Sequence, residues 1–341
     1  MAGSTASLRA YVITRIILTL PMMFLLLTFV FFILRVAPGD PVNTIFGERG
    51  NPAVIDRIKR ELGLYDPLYV QYFRYMHDVF TGNMGTSILT NRPVFDEISD
   101  RMPATLELTL SSMFVASALG IAMGVFAGTR RDTVADFGTR LVAATSYNIP
   151  IFWLGLIFQL VFGVWLGWFP VAGRFSPRLD VPPRVTGMYT VDALIAGNSA
   201  AYVDAVAHLI LPSLTLGIVL AGFFARVVRV NMIQTMQTDF VEAARARGIP
   251  ERMVFLRHAL KNALVPVVTT MGLTFALLFS GAILTETVFS FEGMGRFVYL
   301  AITYRDYPAI QGAVVYYGIL MVVISVLIDI LNAFIDPRIR Y

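Results

Sequence analysis

Asp239, Glu242 and Gly248 stand between Gln237 and Pro266 in a chain otherwise poor in charge. Asp239 followed three residues later by Glu242 has the spacing of an N-cap and N3 pair, which satisfies free amides at a helix start. Phe240 to Arg247 then makes about two turns. Gly248 suits the left-handed residue that closes a helix, and Arg245 and Arg247 place positive charge where the helix dipole is negative. Pro250 opens the next helix. Phe240, Ala243 and Ala244 share one face at i, i+3 and i+4. Two turns do not hold themselves together in water, so another surface must receive this helix. Small alanines suit close approach into a protein groove; the arginines would alternatively suit anionic lipid. Either way, the chemistry is docking.

Catalytic and metal chemistry is poorly supplied. Cysteine is absent, which removes disulfides, zinc–thiolate sites, iron–sulfur clusters and thiol nucleophiles together. His77, His208 and His258 show no HExxH spacing, so no metal site is expected. Lys59 and Lys261 are the only lysines, and neither precedes Ser or Thr, so the chain has no P-loop. His208 and Ser213 lie near one another, but no GxS turn frames the serine. Glu107, Glu286 and Asp329 flank the apolar segments and form no central acidic relay of the kind an ion-coupled carrier uses. No duplicated half is visible, which removes the signature of an inverted-repeat carrier.

The elements that must position the docking helix follow from composition. Of 341 residues, 56% are apolar and 15% charged, with a mean hydropathy of +0.68; soluble domains carry about 25% charged residues. The fold class expected is all-α and polytopic, because a lipid-facing backbone must satisfy its hydrogen bonds within helices. Six stretches reach the roughly 20 apolar residues of a span: 11–36, 104–128, 140–169, 203–228, 263–289 and 309–335. The core from Ile16 to Leu34 is longer than a signal-peptide h-region and no A-x-A site follows, so the first stretch reads as a retained helix. Arg130, Arg131, Arg140, the basic run from Arg226 to Lys261, and both basic ends (Arg9, Arg15, Arg338, Arg340) fall on one side of a six-helix arrangement. The positive-inside rule makes that side cytoplasmic, giving N-in and C-in.

The first external segment, Pro38 to Pro103, reads as folded. Asn51–Pro52 resembles a capped helix start, Gly63 a stop, and Asp66–Pro67 the opening of a second amphipathic helix that ends at Gly82 and Gly85. These helices would lie on the membrane or bundle, or form a docking surface for an external partner. The connection from Pro170 to Ala201 reads as an irregular cap whose Arg174, Arg178 and Arg184 are solvated, with anion recognition as the alternative. Gly120, Gly124 and Gly128, like Gly163 and Gly167, have the spacing of close helix packing.

The sequence resembles a known family. E-A-A, three residues and then Gly, carried here by Glu242, Ala243, Ala244 and Gly248, is the core of the EAA loop of ABC-importer permeases. LRVAPGDP (34–41), GLYDP (63–67), MPATLELTL (102–110), RHALKNALVP (257–266), RDYPAIQG (305–312) and DPRIRY (336–341) look like the first permease of dipeptide, oligopeptide and nickel importers. The likeness covers almost the whole chain. His258, Leu260 and Lys261 depart from the general loop pattern in the manner of the peptide-importer form, and Glu292 stands where a proline is expected. The resemblance implies a type I (MetI-like) permease fold: an N-terminal helix and external segment (1–103), a transmembrane domain (104–335) with the coupling loop at 231–262, and a cytoplasmic tail (336–341). It implies that Asp239, Phe240, Glu242, Ala243, Ala244, Arg245, Gly248 and Ile249 meet an ATPase subunit. It also implies a second permease, two cytoplasmic ATPases that hold the ATP and Mg²⁺, and an external binding protein, in a bacterial or archaeal cell membrane. Peptides are the expected cargo, with nickel or oligosaccharides as alternatives; no cofactor or nucleic acid is expected on this chain.

Polar residues within spans must face protein or water. Asn148, Gln159, Thr285, Glu286 and Asn332 are the candidates to line a pathway, with hydrogen bonding between helices as the other reading.

Overall fold

The computed structural model describes residues 8–36, 40–46 and 51–335. The expectations placed on Arg338, Arg340 and the segment 336–341 lie outside the described residues, as do the side chains of Arg9, Arg15, Asp329 and Asn332. The described chain is helical, with one isolated β-bridge between Thr86 and Pro93.

In chain order the helices begin with α1 (Leu8–Val36), α2 (Pro41–Phe46), α3 (Pro52–Glu61), α4 (Leu68–Phe80) and α5 (Val94–Thr129). Next come α6 (Val134–Asn148), α7 (Ile151–Phe158), α8 (Tyr189–Ile195), α9 (Ser199–Met236) and α10 (Asp239–Ala246). The last are α11 (Glu251–Met253), α12 (Leu260–Gly281), α13 (Ile283–Val288), α14 (Met294–Thr303) and α15 (Tyr307–Ile335). α5, α9, α12 with the turns before it, and α15 are long and apolar enough to cross a membrane. α1 runs 29 residues, continuous through Pro21.

The expected third span is not one helix. α6 and α7, the latter extended by a π-helical turn over Gln159–Trp165, meet at a 97° bend. Pro150 is the cause. It has no amide to donate and crowds the residue before it out of the helical region, and Ile149 is accordingly extended (φ −71°, ψ 128°).

The packing divides into two units. One comprises the described residues up to 102 together with 294–326. Its core joins Val94 and Ile98 of α5 to Phe297 and Ala301 of α14 and to Ala309, Ile310 and Ala313 of α15. A second cluster sets Leu27 and Phe31 of α1 against Tyr75 and Met76 of α4 and Val315 of α15. The helix signals between α1 and α5 form as expected: Asn51 Oδ1 accepts the Ala53 amide at 3.0 Å, Pro52 is the first residue of α3, and Gly63 turns with φ +65°. Asp306, from the RDYPAIQG motif, accepts from the Ser87 hydroxyl (2.5 Å) and the Leu89 amide (3.1 Å), and its other oxygen takes the Ala309 amide at the start of α15.

The other unit comprises 103–293 with the described residues from 327 onward. Here α5 and α9 lie in close contact because of three glycines. A Cβ on Gly120, Gly124 or Gly128 would stand 2.6, 2.5 or 2.8 Å from the Cβ of Phe224, Val228 or Met232. Real side chains cannot approach so closely, so the four-residue glycine repeat is a packing seam. The connection after α7 is less irregular than expected, since it contains α8. Thr186 and Gly187 donate three hydrogen bonds to the Asp192 carboxylate. Burial works to raise the Asp192 pKa, but those hydrogen bonds prevail and hold it below the usual carboxylate range.

Candidate coupling site

α10 leaves α9 after only Gln237 and Thr238. This tight turn overrides the expected cap. Thr238 is the N-cap residue (φ −90°, ψ 151°), but its hydroxyl donates backwards, at 2.6 Å, to the Thr235 carbonyl, which also accepts the Thr238 amide at 3.2 Å, and so makes no cap bond to α10. Asp239 is therefore the first residue of the helix and Glu242 the fourth, and the Asp239–Glu242 capping box is not made. Both acids still lie in the first turn, where the dipole favours negative charge.

The end of the helix matches the sequence reading. Gly248 has φ +73°, its amide donates to the Arg245 carbonyl (2.9 Å) and the Ile249 amide to the Ala244 carbonyl (3.3 Å), which together make a Schellman closure. Arg245 Nε reaches across this turn to Glu251 Oε1 at 2.8 Å; both side chains are exposed, so the pair adds little stability.

Half of α10 is received by its own chain. Val241 is fully buried and Ala244 nearly so, in a cluster with Val228 and Met232 of α9, Val254 and Ala259 of the π-helical turn after α11, and Ala263 and Val267 of α12. Ile249 packs against the same cluster. Ala244 thus faces inward, separated from Phe240 and Ala243, because α9 and α12 supply an apolar cleft on that side. Val241, missed in the sequence reading, is its partner at i and i+3. What remains outward is Phe240 (43% exposed), Glu242 and Ala243. The helix is thereby anchored on one side to the two long helices beside it and bare on the other.

The candidate pathway residues are dispersed. Asn148 is exposed at the Pro150 bend and donates to the Ala144 carbonyl of its own helix. Gln159 donates to the carbonyls of Val171 (2.7 Å) and Val288 (3.0 Å), tying the π-helical turn to the end of α13. Thr285 and Glu286 are enclosed, and Glu286 accepts from the Thr105 hydroxyl at 2.6 Å. Gly293 lies directly against that carboxylate, where no side chain would fit. The sequence GMG after Glu292 thus has a local reason, while Glu292 itself is exposed. Ser213 pairs with Ser111 (2.6 Å), and His208 with the Asp204 carbonyl (2.9 Å), so the two are not arranged as nucleophile and base.

Arg174 corrects the reading of a solvated loop. Its side chain is 8% exposed and lies 3.0 Å from Glu107, itself 6% exposed. Glu107 also accepts the amide and hydroxyl of Thr190 at 2.8 and 2.6 Å. The guanidinium covers the Tyr189 ring at 4.1 Å and donates to the Gly187 carbonyl.

With this geometry, the chain is an all-helical membrane protein carrying a short, back-anchored helix with one bare face. The matches to known proteins agree. Residues 120–341 match the binding-protein-dependent transport system inner membrane component family, and residues 8–109 match the N-terminal region of such membrane components. The chain belongs to that family, a membrane-embedded transport component. It is 39% identical to the dipeptide transport system permease protein DppB of Alkalihalophilus pseudofirmus over 97% of this chain and 99% of that one. It is 40% identical to the di/tripeptide permease protein DppB of Pseudomonas aeruginosa over 97% and 99%, and 39% identical to the dipeptide permease protein DppB of Escherichia coli over 93% and 94%. Among solved structures, the inward-facing MetNI methionine ABC transporter aligns with a TM-score of 0.54 and 19% identity, covering 72% of this chain and 98% of that one. That likeness shows the fold of a type I importer permease.

Proposed function

We propose that this chain is a permease subunit of an ATP-driven importer of short peptides. It forms half of the pathway with a second, related permease; two cytoplasmic ATPases bind ATP and Mg²⁺; an external binding protein delivers the peptide. Identity of 39–40% over nearly the full length to permeases named for dipeptides supports the cargo. The mechanical reading rests on one observation: α10 is buried against α9 and α12 on one side and exposes the E-A-A residues Glu242 and Ala243 on the other. A cleft on an ATPase that seats the bare face and then moves would drag both long helices, because Val241 and Ala244 transmit the displacement. Glycine at 248 keeps the hinge short.

Two measurements test this. Co-expression with the genes encoded beside it should yield a complex whose ATP hydrolysis rises with peptide-loaded binding protein; a stable, transport-competent assembly lacking any ATPase would overturn the proposal. The topology adopted here has six spans, α1, α5, the bent pair, α9, α12 and α15, with both ends in the cytoplasm. The chain has no native cysteine, so a cysteine placed at Asn198 should react with an impermeant maleimide from outside the cell. Labelling only from the cytoplasmic side would refute that orientation.

A further inference from the structure

α4 carries an aromatic face that its own chain leaves uncovered. Gln71, Tyr75 and Met76 are buried on one side of the helix, where Tyr75 and Met76 pack with Leu27 and Phe31 of α1. Tyr69, Phe73 and Phe80 are 67, 68 and 72% exposed. At 3.6 residues per turn these three fall within about 40° of one another, beside the buried face. Arg74 and His77 lie further round, opposite the buried face, and both are exposed; Arg74 pairs with Asp66 at 2.8 Å. Around its axis the helix thus has one face on protein, one bare and aromatic, and one charged.

Two hydrogen bonds fix α4 along α1. The hydroxyls of Tyr72 and Thr28 are 2.9 Å apart, and Arg35 Nε donates to Gln71 Oε1 at 2.7 Å. Thr28 stands about 9 Å inside the end of the apolar core at Leu34, at 1.5 Å of rise per residue. Amphipathic helices of a membrane interface insert to about this depth. The bare face also continues that of the span. Phe24, Phe29 and Phe32 of α1 are exposed. Phe32 stacks on Tyr72 with ring centres 5.9 Å apart, and Tyr72 meets Phe73 edge-on at 5.7 Å. An unbroken run of rings leads from the outward surface of α1 to the bare face of α4. A face at that depth, continuous with Phe32, adjoins lipid before it can meet a soluble partner.

We infer that α4 is half-inserted in the outer leaflet, with Tyr69, Phe73 and Phe80 packed on phospholipid chains and Arg74 and His77 among the headgroups and water. This rests on the topology proposed above, in which α1 is a span with its Val36 end outside. The test places the complete assembly, with cysteine-free partner subunits, in phosphatidylcholine nanodiscs. This chain has no native cysteine, so Tyr69→Cys, Phe73→Cys, Phe80→Cys, His77→Cys and, on α1, Phe29→Cys can each carry one nitroxide. Relaxation by oxygen, which partitions into hydrocarbon, is compared with relaxation by a water-soluble nickel chelate. Labels at positions 29, 69, 73 and 80 should respond to oxygen and lose the nickel response; the label at 77 should show the reverse. Three positions report on the same face, so one variant that fails to assemble leaves the result decided by the other two. A nickel response on the face equal to that at 77 would overturn the inference, because the face would then lie in water, open to a soluble partner such as the external binding protein. Shielding of the face from both reagents would overturn it too, since protein would then cover it. A nickel response at position 29 would reject the span reading of α1 itself, whereas an oxygen response at 29 with a nickel response at 69, 73 and 80 rejects the insertion of α4 alone.

Discussion

Ala243→Arg is expected to abolish peptide-driven ATP hydrolysis and uptake while the protein still inserts and folds. Ala243 is exposed at the middle of the bare face of α10, beside Phe240 and Glu242, and touches none of the buried cluster that anchors the helix. A long charged side chain there costs the helix roughly a few tenths of a kcal/mol or less by propensity, since arginine ranks just below alanine. It would hold any docking groove several ångströms away. Central contacts in such interfaces are each worth about 2 kcal/mol or more, roughly thirty-fold in affinity, and steric exclusion forfeits several at once. The same substitution at Ala244 would act differently: it would expel the helix from its own cleft and lower the melting temperature. Co-purification of the ATPases with each variant, alongside thermal unfolding, separates docking from folding. If the Ala243→Arg protein retains its ATPases and normal uptake, α10 is not the coupling element. A helix seated on lipid predicts a third pattern, in which ATPase association survives and the defect follows the anionic lipid content.

The second large effect concerns the buried pair of Arg174 and Glu107. Arg174→Met should lower stability by about 3–5 kcal/mol, the usual result of leaving a buried carboxylate without its cation. Glu107 would keep the two hydrogen bonds from Thr190 but lose its only ion-pair partner among the described residues. Methionine matches much of the arginine stem, so the aromatic contacts with Tyr189 and Phe291 would partly persist. Adding Glu107→Gln removes the uncompensated charge, and the double variant should recover most of the loss. A double-mutant cycle on the detergent-solubilised complex, read by thermal unfolding, gives the coupling directly. Additive losses would mean that the buried pair has no coupling energy.

The places where sequence and structure part company share a cause. The capping box at Asp239 and Glu242 was a sound local pattern, yet the two-residue turn from α9 puts Thr238 in the cap position, with its amide and hydroxyl both turned back to the Thr235 carbonyl. The continuous third span was a sound hydropathy reading, but Pro150 acts on backbone geometry that hydropathy does not register. Arg174 looked solvated because its loop is rich in Pro and Gly; its partner Glu107 is 67 residues away. The glycine seam was legible as a repeat, since the spacing is local, but its partners Phe224, Val228 and Met232 were not.

Composition and periodicity by themselves determined that this is a helical membrane protein, and that a glycine-terminated helix lies between two long apolar segments. These are local properties: each depends on residues within a turn or a span of one another. Which face of that helix is spent on its own bundle and which arginines are buried are decided by chain segments far apart in sequence. Only the packed structure brings Val241 to α9 and α12, Arg174 to Glu107, and Arg35 to Gln71.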